Sequence, residues 1–202
     1  MRHQLQADGF GIQLRPVRMD DAAFIVWLRN LDHTKGKIGD SARDVTSQLE
    51  WLSKYFERKD DYYFIVETPG GIPVGTHGLY EVSGTTAEAG RFIMRPEVPA
   101  AVATSILTFD LAFGSMNLTG LRTSSVSTNR SLQSYIQKFG FRQVRVETAA
   151  QTIGGQPVDI CHFVMTAGDW AERRERFVPL AEAATTQIRD WELERLSRRL
   201  PS

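Results

Sequence analysis

Among the side chains of this chain that could move a proton near neutral pH, His77 stands out by type. It lies in Val74-Gly75-Thr76-His77-Gly78, where the glycine neighbours leave an imidazole uncrowded; the plainer alternative is a structural strand histidine. The four histidines, His3, His33, His77 and His162, show no i,i+4 pairing, so no metal site is predicted. The single cysteine, Cys161, excludes an intramolecular disulfide, and its neighbours Ile160 and Phe163 mark it as a buried strand thiol. A second chemistry open to the chain is anion binding by backbone N–H groups. Residues 91–141 read as strand, helix, strand, helix, which places the start of a helix near Ala100 beside the carboxyl ends of two strands. An ordinary crossover helix is the alternative reading of that segment.

The elements that position these groups follow from spacing. After a strand at 91–95 and a Pro/Ala-rich turn, Val102, Ile106, Phe109, Phe113 and Met116 recur in steps of four and three, giving a helix over 100–116 with one apolar face. A β-branched, serine-rich strand at 121–127 leads to Asn129, an N-cap residue. The helix that follows has Leu132, Ile136 and Phe139 as its apolar stripe and Lys138 near its negative end, and Gly140 stops it. Two strands separated by a helix imply a parallel pair with a crossover.

Upstream, 12–17 alternates as a strand. Asp20 or Asp21 opens a helix with Phe24, Ile25 and Leu28 on one face, ending near Asn30. A polar loop over 32–40 carries His33, Lys35 and Lys37. Ser41, with Asp44 three residues on, opens a second helix in the manner of a capping box. Its apolar face is Val45, Leu49, Leu52 and Phe56, with Trp51 and Tyr55 as rim packing. Strands at 62–67, 73–82 and 86–95 form an antiparallel meander, and Gly90 predicts a bulge or a close backbone approach. Strands at 142–147 and 158–165 flank Gly154-Gly155. Pro179 is expected to divide the tail into a short helix and a longer one over 180–198, with Ala181, Ala184, Ile188 and Trp191 along one side. An isolated helix of that length does not hold in water, so the tail must pack on its own domain or on a second copy, as a homodimer.

The 202 residues allow one domain with a sizeable core plus an extension. Hydrophobic content of 42% and charged content of 24% are those of a globular chain, and the zero formal net charge argues against a nucleic-acid partner held by bulk charge. The start has no apolar h-region and no apolar run approaches about eighteen residues, so no membrane partner is expected and the cytoplasm is the expected location.

Asn129, Lys138 and Gly140-Phe141 together resemble the ending of the GNAT acyl-CoA N-acetyltransferase superfamily, and Leu111-Ala112-Phe113 is similar to the close of its preceding helix. Leu14-Arg15-Pro16, Trp27-Leu28-Arg29-Asn30 and His162-Phe163-Val164-Met165 with Asp169-Trp170 extend the likeness over 14–170. The branch resembled includes acetyltransferases of ribosomal-protein N-termini and of nucleotide-linked amino sugars. The resemblance implies an α/β fold with a mixed, strongly twisted central sheet flanked by helices. A GNAT domain over 1–170 would carry a C-terminal helical extension over 171–202. It also implies that the strand through Gly90 splays from its neighbour to admit the pantetheine arm of acetyl-CoA, the co-substrate.

By the same resemblance, Ile93, Met94, Arg95, Ala100, Ala101, Val102, Asn129 and Lys138 would meet the cofactor, and Arg29, Asn30, His33 and Tyr80 the acceptor. Glu88 stands near the glutamate of related enzymes and, with His77, is a candidate base; a solvated strand charge is its alternative. The family tyrosine that protonates the leaving thiolate falls at Ile136, with Tyr135 one residue away, and a one-residue shift turns a helical side chain by about 100°. The family's glycine-containing phosphate turn aligns with Pro99-Ala100-Ala101, whose proline has no N–H to donate. The function implied is transfer of an acetyl group from acetyl-CoA to a primary amine, with a nucleotide-linked amino sugar favoured. A protein N-terminus and a non-catalytic binding module are the alternatives.

Overall fold

The computed structural model describes residues 3–34, 37 and 44–198. Among these, eight strands form one mixed sheet in the order β1-β2-β3-β4-β5-β6-β8-β7. They are β1 (Ala7–Gly9), β2 (Ile12–Pro16), β3 (Tyr62–Glu67), β4 (Pro73–Ser83), β5 (Thr86–Met94), β6 (Gly120–Val126), β7 (Arg142–Ile153) and β8 (Gln156–Thr166). The helices are α1 (Ala22–Arg29), α2 (Val45–Tyr55), α3 (Ala101–Asp110), α4 (Arg130–Phe139) and α5 (Ala167–Ser197). Strand β3 shows how the sheet serves two cores. Phe64 and Val66 face the layer with α3, α4 and α5, while Tyr63 and Ile65 face the layer with α1 and α2.

The sheet is antiparallel except at β5 and β6, which pair in parallel over Thr86–Gly120, Ala87–Leu121 and Glu88–Arg122 and then stop. Two features part them. Between the pairs Gly78–Gly90 and Thr76–Ile93, β5 carries one residue more than β4, and Arg91 takes φ +55° there. This is the bulge that Gly90 predicted, and a bulge bends its strand. Strand β6 meanwhile continues in register with β8 as far as Val126–Ile160.

Several local expectations are corrected. The helix over 100–116 is α-helical only to Asp110 and continues as a π-turn over Leu111–Ser115. It is also buried on more than one face: Thr104, Ser105 and Thr108 are as inaccessible as Ile106, with Thr104 on Met94 of β5, Ser105 on Tyr135 of α4 and Thr108 on His77 of β4. Tyr55 is core, not rim, and Val45 is exposed, so the packed face of α2 is rotated toward Gln48, Leu52 and Tyr55. Asp44 itself is the N-cap of α2, its carboxylate accepting from the Ser47 N–H at 2.9 Å; the expected start at Ser41 lies outside the described residues. Asp21 precedes α1 without a capping hydrogen bond to it. Its carboxylate takes both guanidinium arms of Arg15 at 2.8 Å. The short strand β1 was not foreseen.

The tail is not divided at Pro179. Helix α5 begins at a capping box, Thr166 with Asp169, and runs unbroken through the proline. Losing one N–H in a helix interior is costly, and burial on both sides of the site offsets it. Trp170, Ala181 and Ile188 are buried in the main core, and the Asp110 carboxylate binds Trp170 Nε1 at 2.9 Å and Arg174 Nη2 at 2.8 Å. Further along, Glu192 Oε1 accepts from the Gly70 N–H at 2.6 Å. The tail therefore packs on its own domain. Ile188→Ala should lower stability by about 2–5 kcal/mol, the usual cost of truncating a buried isoleucine. Thermal unfolding measures this, and an unchanged midpoint would contradict the docking of α5.

Candidate active site

Where β5 and β6 part, the sheet opens into a cavity of about 310 Å³. Ala89, Gly90, Phe92 and Ile93 line it from β5, Thr123–Val126 from β6, Ser105 and Phe109 from α3, and Leu132, Tyr135 and Ile136 from α4. Edge groups of two strands that no longer pair need other hydrogen-bond partners, which suits a ligand with amide groups.

Glu88 marks the last rung before the gap. It sits opposite Tyr80 on β4 and beside Arg122 on β6, whose Nε is 3.9 Å from its carboxylate. Burial pushes its pKa up to about 7, against the pull of Arg122 and of the Ser124 hydroxyl. Its neighbours Ala89 and Ser124 line the cavity, although Glu88 itself does not.

His77 does line the cavity, but the expectation that it titrates near neutral pH is corrected. Its ring is buried against Phe92 and Phe109, with Nδ1 2.9 Å from the Thr108 hydroxyl, and burial lowers its pKa to about 3. Its glycine neighbours do not keep it open, because α3 fills that side. Tyr135 also reaches the cavity, with its proton committed. The hydroxyl donates to the Ala101 carbonyl at 2.9 Å and so accepts from Ser105 Oγ, also at 2.9 Å. Burial raises its pKa well above that of a free phenol. It ties α4 to the first turn of α3, while Ile136 is buried beside it.

At the start of α3, Ala100 is the N-cap and offers no side-chain cap. The first-turn N–H groups of Ala101, Val102 and Ala103, which no helix can satisfy internally, have no acceptor among the described residues. The small side chains and these donors fit an anionic group. Met94 packs on Thr104, its sulfur 3.9 Å from the hydroxyl. Arg95 is already engaged: its guanidinium donates to the Pro73 carbonyl at 3.1 Å and to Glu97 at 2.8 Å, and it lies 4.2 Å from the Trp27 ring. Asn129 caps α4, its side-chain oxygen accepting from the Leu132 N–H at 3.3 Å, and Lys138 is exposed in the last turn of that helix.

Of the residues expected to meet the acceptor, Arg29 and Tyr80 line the cavity, together with Lys37. Asn30 instead closes α1 through its Nδ2 to the Val26 carbonyl at 2.9 Å, and His33 is exposed on a short turn; neither reaches the cavity lining. Arg91 was missed by the sequence reading. It stands on the bulge, forms a two-armed ion pair with Asp61 at 2.5 and 2.9 Å, and lies over Tyr80 and Tyr63. Its position next to Gly90 was the available signal. Among the described residues no cluster of His, Cys, Asp or Glu is arranged to hold a metal ion, and no helix is long and apolar enough to cross a membrane.

A mixed sheet that opens between its two parallel strands, above the start of a helix, is the plan of an acyl-transferase domain. The family model for the acetyltransferase (GNAT) domain matches residues 12–142, and the chain belongs to that family. No curated protein sequence matches it. Its fold is similar to that of apo FdhC, a nucleotide-linked sugar GNAT, with a TM-score of 0.71 and 22% identity over 87% of this chain and 97% of that one. It is also similar to a GCN5-related N-acetyltransferase from Brucella melitensis, with a TM-score of 0.76 and 15% identity over 93% and 95%. A point mutant of the spermidine N-acetyltransferase SpeG from Vibrio cholerae gives 0.71 and 19% over 82% and 99%.

The buried imidazole makes a prediction about acid stability. A histidine held neutral in the fold, with a pKa of about 3 against an ordinary 6.5, contributes stability that is complete above pH 6.5 and is lost progressively as pH falls toward 3. His77→Gln should therefore lose less stability between pH 7 and pH 5 than the wild type does. Urea unfolding at the two pH values reads the difference, and equal losses would contradict a neutral, buried His77.

Proposed function

We propose that the protein transfers an acetyl group from acetyl-CoA to a primary amine, with the parted strands β5 and β6 as the cofactor slot. The observation that carries this reading is the place of Glu88: a half-buried carboxylate with a pKa near 7 at the fork where the slot begins. Acetyl-CoA supplies the activated acyl group. On this reading Ile93 and Met94 border the pantetheine arm, and the free N–H groups from Ala101 onward hold phosphate at the start of α3. Ala100 is buried and supplies no surface there; the partly exposed Ala101 and Val102 do, and Asn129 and Lys138 flank the far end. Arg95 contributes no free charge, since its guanidinium is held by Pro73 and Glu97.

The amine enters past Arg29 and Lys37, and the ionised Glu88 takes its proton. The nitrogen–carbon bond forms as the carbon–sulfur bond breaks, and the departing thiolate takes a proton from water. Neither His77, which is neutral and bonded to Thr108, nor Tyr135, whose proton is committed to Ala101, carries a proton-transfer step. Among amines we favour a nucleotide-linked amino sugar. The Trp27-Leu28-Arg29-Asn30 phrase and the likeness to a nucleotide-linked sugar GNAT support it.

The test is CoA-thiol release with acetyl-CoA and two probes, a nucleoside-diphosphate-linked amino hexose and a short peptide with a free N-terminus. We expect turnover with the first. In the wild type kcat should rise as pH passes through about 7 and the Glu88 carboxyl ionises. Glu88→Gln should lower kcat by about 10²–10⁴-fold and abolish that rise. An unchanged pH profile in the variant would remove Glu88 from the reaction.

A further inference from the structure

The cavity holds two phenols, and they are in different states. Tyr135 donates its O–H to the Ala101 carbonyl, whereas the Tyr80 hydroxyl makes no hydrogen bond to any described residue. Tyr80 is nonetheless tightly placed. It pairs with Glu88 across β4 and β5, so the two side chains leave the sheet on the same face. Its hydroxyl lies over Gly90, close enough that a Cβ there would come within 2.5 Å of it. The ring is held by the Arg91 guanidinium, 4.3 Å from its centroid, and that guanidinium is itself fixed by Asp61. A donor aimed over the residue where the strands part, beside the carboxylate that takes the amine proton, occupies the position an acyl-transfer site needs for its electrophile.

We propose that Tyr80 is a catalytic residue of the transfer: its O–H donates a hydrogen bond to the thioester carbonyl oxygen as negative charge builds there. The inference rests on the acetyl-transfer reading given above. Burial and the neighbouring Glu88 charge raise the Tyr80 pKa to about 12, so the phenol stays protonated while Glu88 titrates. It therefore lends a hydrogen bond and keeps its proton, and no proton balance beyond that of Glu88 is required. Glycine at position 90 then has a reason beyond strand geometry, since any side chain would displace the phenol.

Tyr80→Phe keeps the ring under Arg91 and removes only the donor. With whichever probe the wild type turns over, kcat should fall by about 10²–10³-fold, the usual cost of one such donor. KM for acetyl-CoA should stay within about threefold, and the rise of kcat near pH 7 should persist because Glu88 is intact. Gly90→Ala, which pushes the hydroxyl aside, should lower kcat comparably, and the double variant should be little worse than either single one. A Tyr80→Phe enzyme with kcat within about threefold of wild type, a change confined to KM, or multiplicative effects in the double variant would each overturn the proposal. A wild type that turns over neither probe would overturn the transfer reading and this inference together. An active wild type matched by its Tyr80→Phe variant overturns the inference alone.

Discussion

One extra residue in β5 governs the site. Between Gly90 and Ile93 the strand carries a residue more than its partner β4, and Arg91 adopts a positive φ that a side chain ordinarily resists. That conformation is held by the ion pair of Arg91 with Asp61 and by the aromatic rings of Tyr80, Tyr63 and Trp51 around the guanidinium. With β5 bent there and β6 committed to β8, the parallel pair ends at Glu88 and the cavity follows. The carboxylate at the fork is half-buried for the same reason, and its raised pKa is a consequence of where the strands separate.

The other half of the site depends on α3 being fixed from behind. Its N-terminus can point free N–H groups at the slot only if the helix does not move, and α5 lies across it to ensure that. Asp110, at the negative end of α3, would be unfavourable alone; Arg174 and the Trp170 indole from α5 compensate it. Tyr135 fastens the opposite end through the Ala101 carbonyl. The tail thus holds α3 in place even though none of its described residues lines the cavity.

Much of this was legible from periodicity. The limits of β3 and α4, the bulge at Gly90 and the glycine stop at position 140, with φ +113°, follow from local rules of alternation, capping and backbone freedom. What failed depended on neighbours distant in sequence. His77 looks uncrowded between glycines, yet Thr108 and Phe109 arrive from α3 and bury it. Tyr55 reads as a rim residue until Tyr63 and Asp61 bind its hydroxyl. Pro179 carries a local stop signal that the burial of Ala181 and Ile188 overrides. Arg95 has the right type and place for a phosphate contact, but Glu97 and the Pro73 carbonyl hold it. Residue type proposed these groups; packing decided their states.

The central claim is that the gap between β5 and β6 is the cofactor slot. Amide hydrogen exchange of the full chain, with and without acetyl-CoA, tests it most directly. Bound cofactor should slow exchange in peptides covering 89–94 on β5 and 101–103 at the start of α3, where the groups facing the gap and the first-turn N–H groups lack acceptors among the described residues. Unchanged exchange in both segments at saturating acetyl-CoA, or protection confined to another part of the domain, would contradict the account.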